Sequence, residues 1–170
     1  MWQALHAELE PVGLTVVTVA LDVEPAKAHR WIDAAQPTHP SLVDRAHVTD
    51  ELFGFVNVPM AVWIDEEGTI VRPAEHAALE PRTVREVPPG TPERLAAMLE
   101  QVNAIADIGD AYRAAVVDWA RHGADSRYAL TAEEVVARSR PRPPEHARAA
   151  ACFELGEHLR RAVGEAAAVP

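Results

Sequence analysis

Asn57-Val58-Pro59-Met60-Ala61-Val62-Trp63-Ile64, followed by Asp65-Glu66-Glu67-Gly68 and Thr69-Ile70-Val71-Arg72, is the stretch that decides the fold. Two runs rich in β-branched and aromatic residues flank a short acidic tip closed by glycine. That pattern predicts an antiparallel hairpin with a four-residue loop. Proline has no amide proton to give a ladder, so Pro59 belongs at the first residue of its strand or just before it.

Upstream, Leu14 to Leu21 is β-branched and nearly all apolar between Gly13 and Asp22, and predicts a strand buried on both faces with parallel neighbours. Before it, Trp2, Leu5 and Leu9 share one face of a helix stopped by Pro11 and Gly13. After it, a helix is expected from Pro25 to Ala35, with Ala28, Trp31, Ile32 and Ala35 on its inner side. His39 to Asp44 predicts a short extended segment, and Thr49 to Gly54 a brief capped helix ended by glycine.

A Val-Pro dipeptide opening an apolar strand, then a hairpin with Asp-x-x-Gly at its tip, resembles the thioredoxin fold. More narrowly, residues 1–75 resemble the second half of a TlpA/ResA-like thiol-disulfide oxidoreductase domain. The resemblance implies that Pro59 is cis and that the backbone of Val58 offers a peptide-pairing edge, which makes Val58 and Pro59 the candidate substrate-binding residues. It further implies a preceding strand, a Cys-x-x-Cys turn and a redox helix, with that strand lying between the strands resembled by Leu14–Leu21 and Met60–Ile64. The strand and the turn are missing from this sequence, and Met1 to Glu10 resembles only the carboxyl end of the helix, so the expected fold is α/β, a partial thioredoxin-like domain followed by an all-α extension. Two strands lacking a shared neighbour would leave buried backbone groups unpaired, at roughly 1–3 kcal/mol each. The chain is therefore expected to be an incomplete product of a longer gene. A selenocysteine codon read as stop, with Met1 taken as the next start, would explain the boundary and makes the chain a selenoprotein candidate. The rival expectation is a redox-dead module whose sheet is completed by a partner strand or by rearrangement.

Downstream, Pro73 to Gly90 holds five of the breakers, and 76–90 is expected to be a linker. Residues 91–170 form the helical extension. Its stripe from Leu95 to Trp119 is too long for one globular helix, so a break is expected near Asp107-Ile108-Gly109-Asp110. Thr131-Ala132-Glu133-Glu134 has capping-box spacing, and Arg138 to Pro144 predicts a stiff basic linker. The last helix, from Glu145 to about Val163, resembles half of a tetratricopeptide-type helix pair through Cys152, Leu155-Gly156 and Leu159.

Composition bounds the function classes. A formal charge of -10 argues against nucleic acid and against an anionic membrane surface, since both need a positive face. A single cysteine, Cys152, forms no intrachain disulfide, Cys-x-x-Cys or zinc pattern, so no catalytic residue is assigned and the chain alone is expected to be inactive. Cys152 is read as a small hydrophobe on an apolar helix face. No leader-like start or membrane segment is present, so the chain as written is expected in the cytoplasm; where a full-length product resides is left open. His39, His47 and His76 lack metal-ligand spacing, so neither a metal nor any other cofactor is expected. Asp65, Glu66 and Glu67 are read as a solvated turn, and Trp31 and Trp63 as core. The expected partners are a protein or peptide disulfide substrate for the full-length form and a protein partner at the helical extension.

Overall fold

The computed structural model describes residues 1–55, 58–81, 86–104, 106–139 and 143–162. It is a mixed α/β arrangement. The elements are α1 (Trp2–Leu9), β1 (Thr18–Leu21), α2 (Pro25–Ala35), β2 (Ser41–Asp44), α3 (Val48–Phe53), β3 (Met60–Ile64), β4 (Ile70–His76), α4 (Glu93–Ala104), α5 (Gly109–His122), α6 (Ala132–Arg138) and α7 (Pro144–Ala162). The strands make two separate pairs: β1 with β2 in parallel, and β3 with β4 antiparallel. Among the described residues no third strand joins either pair.

The hairpin forms where expected. Asp65 fixes its turn: the Asp65 amide donates to the Thr69 carbonyl at 2.9 Å, and its carboxylate accepts the Thr69 amide at 2.7 Å. Gly68 adopts φ 83°, a conformation that favours a residue without Cβ. The strand β4 continues through Pro73 to His76, further than the proline pattern predicts. The register shifts between Ala61 and Trp63, and such an irregularity lets a residue with no amide proton sit inside a strand.

Three further expectations are corrected. The strand β1 starts at Thr18 rather than Leu14, and its residues are only half buried. Its partner begins at Ser41, because the preceding segment turns toward α1, where the Thr38 amide donates to Gln3 Oε1 at 2.8 Å. Trp31 is 68% exposed instead of facing inward; α2 buries Ala28 and leaves the indole beside the Arg30 guanidinium, 5.0 Å from the ring centroid. Cys152 is exposed on α7. The ring of neighbouring Phe153 meets His47 at 5.0 Å. The linker residues 140–142 and Val163 lie outside the described residues.

The core gathers α1, the hairpin and α5. Leu5 and Leu9 pack with Trp63, Ala77, Leu79, Tyr112, Ala115 and Val116. The spacing of Leu5 and Leu9 puts both on one side of α1, as the helical period requires. The long stripe does break: α4 ends at Ala104 and α5 starts at Gly109, whose amide donates to Asp107 Oδ1 at 3.0 Å. A Cβ on Gly109 would stand 2.1 Å from the Glu80 carbonyl oxygen, so the start of α5 needs glycine for close backbone approach.

Candidate functional site

The residues singled out as a peptide-binding edge, Val58 and Pro59, sit where the chain enters β3. The peptide bond between them is cis. Both side chains are exposed, Val58 to 69%. The Pro59 carbonyl oxygen accepts the Ala77 amide at 3.1 Å, which ties this corner to the end of β4. Asn57 lies outside the described residues. The corner presents apolar side chains and backbone but no nucleophile, so by itself it can hold a chain and not transform one.

Further along, the strand is fixed by a partly buried polar cluster, centred on buried Trp63 and Tyr112, that sequence reading missed. The Trp63 indole N–H donates to the Tyr112 hydroxyl at 2.8 Å. Trp119 stacks on Trp63 with ring centroids 5.0 Å apart, and the Arg72 guanidinium lies 4.9 Å from the Trp63 ring centroid. Arg72 grips Glu75 through two bonds of 2.7 Å and donates to the Tyr128 carbonyl at 3.1 Å. Burial pushes the Tyr112 phenol up to about 12, against a smaller opposing effect of the Trp63 bond. Every partner is satisfied, which marks a structural clamp between the hairpin and α5 rather than a reactive centre. The apolar spacing of Trp63 and Trp119 signalled burial; their mutual contact had no signal in either segment.

A second cluster resembles a serine triad in composition only. The Ser126 hydroxyl donates to Asp118 Oδ1 at 2.6 Å, and His122 Nδ1 lies 2.9 Å from the Asp118 carbonyl. The carboxylate stands between serine and histidine, so no base reaches Ser126 Oγ and the order needed for nucleophilic activation is absent. Ser126 Oγ also accepts the Tyr128 amide at 3.1 Å, which makes it a turn residue after α5. The acidic tip is likewise structural, since Asp65 is spent on its own turn.

No family model, curated protein or solved structure matches this chain. No helix among the described residues is long and apolar enough to cross a membrane.

Proposed function

We propose that the chain is the later part of a thioredoxin-like domain of a TlpA/ResA-like thiol-disulfide oxidoreductase, with its redox pair, cysteine or selenocysteine first, carried outside this sequence. The observation that carries the reading is the sheet plan. A parallel pair, β1 with β2, and an antiparallel pair, β3 with β4, form separate sheets, and among the described residues neither outer edge of either pair takes a third strand. One strand laid between β1 and β3 would unite them into a single mixed sheet, and its outgoing turn is where the attacking thiol or selenol would sit.

In that arrangement the exposed corner at Val58 and Pro59 is the edge along which a protein or peptide disulfide aligns. The chain supplies the binding edge and no thiol pair, since Cys152 is its only cysteine. Insulin reduction tests the reading. Activity is expected only in a form extended upstream by the in-frame coding sequence. Absence of activity there, or of a strand followed by a Cys-x-x-Cys or Sec-x-x-Cys turn in that sequence, contradicts it.

One observation favours a second reading, a redox-inert thioredoxin-like module that binds a protein partner through its helices. Among the described residues, Leu5, Leu9, Trp63, Tyr112, Ala115 and Val116 form one core shared by α1, the hairpin and α5, with no strand beyond the two pairs contributing to it. Inactivity of both forms, together with a stable monomer giving sharp NMR signals, supports this second reading.

A further inference from the structure

Away from the hairpin, the fold brings together two histidines that are distant in sequence. His6 on α1 and His39, just before β2, meet with ring centroids 5.6 Å apart and planes at 86°. They are 4% and 7% exposed. His39 Nδ1 lies 3.2 Å from the Pro40 carbonyl oxygen. A carbonyl oxygen only accepts, so Nδ1 is the donor in this contact and Nε2 is the nitrogen left to face another partner. An imidazole anchored this way through one nitrogen is how metal-ligating histidines are usually held.

His6 supplies the second sign. Its Nδ1 is buried with no hydrogen-bond partner, the one such side-chain atom among the described residues. A buried polar atom of this kind calls for an ion or a water to complete it. Nearby, the two segments are cross-linked: Gln3 Nε2 donates to Thr38 Oγ1 at 2.7 Å and Gln3 Oε1 accepts the Thr38 amide at 2.8 Å.

The ring separation suits a shared ion. A Zn–N bond of about 2.0–2.1 Å puts each imidazole centroid about 3.2 Å from the metal, so two such rings stand about 5.2 Å apart at the tetrahedral angle and about 6.4 Å apart when opposed. The observed 5.6 Å falls between these limits.

We propose that His6 and His39 are the protein ligands of a divalent transition-metal site, for ions such as Zn²⁺ that imidazole nitrogen suits. Among the described residues no group of three or more His, Cys, Asp or Glu is placed to hold a metal. The remaining positions therefore belong to water or a small exogenous ligand, and binding is weaker than at a closed four-ligand site.

The test uses chelator-treated full chain and zinc chloride alone. Imidazole NMR signals of His6 and His39 are expected to shift together and saturate at one equivalent, and the thermal midpoint to rise by about 3 °C or more at 100-fold excess over Kd. His6→Gln and His39→Gln should each weaken binding at least about tenfold. Unmoved His6 and His39 signals on zinc addition overturn the proposal, as does unchanged affinity in both variants. The NMR readout needs no variant, so a variant that fails to fold leaves the test decisive.

Discussion

Trp63 is where the hairpin meets the helical segment, and its single polar atom makes the contact specific. Tyr112→Phe keeps the ring and removes the oxygen that receives the indole N–H at 2.8 Å. A buried donor left unpaired costs about 1–3 kcal/mol, so urea unfolding should show a loss of that size. The phenol also sets an alkaline limit. Because burial raises its folded value to about 12 from 10.0, the unfolded chain ionises first. Stability conferred by neutral Tyr112 is complete below about pH 10 and is lost as pH climbs toward 12. Absorbance at 295 nm should show a late phenolate step that Tyr112→Phe removes. Asp44 acts at the opposite end of the scale. Burial pushes its carboxyl up, but amide and hydroxyl bonds from Thr49, with amide bonds from Val48 and Ala46, outweigh this and hold it below the usual range. Its stabilisation of the start of α3 is present above about pH 4 and fades as pH falls through the lower folded value. Asp44→Ala should cost about 1 kcal/mol near pH 7 in urea titrations, with the difference shrinking at pH 3.

At the scale of elements, the start of α5 is the tightest junction. Gly109→Ala would drive a methyl into the Glu80 backbone, so a loss of about 1–3 kcal/mol or a displaced α5 is expected in thermal melts and amide spectra. The sequence disclosed the break itself, because helix interruption is local, but not the neighbouring carbonyl that demands glycine. The same division runs through the rest. Thr131 and Glu134 were legible as a capping box and form one, with the Glu134 amide donating to Thr131 Oγ1 at 3.3 Å and the Thr131 amide to Glu134 Oε2 at 2.9 Å. Leu5 and Leu9 were legible from their spacing. Trp31 was misread because a helical stripe says which face is apolar, not whether a surface is there to receive it. The short reach of β1 was hidden for a related reason: strand length depends on the partner, and β2 offers only four residues. Of the candidate site, Val58 and Pro59 stand out in sequence, whereas the clamp of Trp63, Arg72, Tyr112 and Trp119 and the meeting of His6 with His39 arise from packing across distant segments.

At the scale of the whole molecule, the hairpin and the helices share one core. Tyr112, Ala115 and Val116 bury the same surface as Leu5, Leu9 and Trp63, and Arg113 donates to Glu8 across α5 and α1. Removing residues 91–170 should therefore abolish the cooperative thermal transition of residues 1–90, as followed by near-ultraviolet circular dichroism. In the proposed thioredoxin-like arrangement, an upstream strand would lie between the two strand pairs. The Thr18 amide donates toward β2, so by strand alternation the Val19 and Leu21 amides point to the opposite edge of β1. By the same alternation from Asp65, which donates to Thr69, the Val62 and Ile64 amides point away from β4. Amide hydrogen exchange at these four positions, in the chain alone and in the upstream-extended form, tests the account most directly. Fast exchange in the first and strong protection in the second is the predicted result; slow exchange in the chain alone, or no gain of protection on extension, would contradict it.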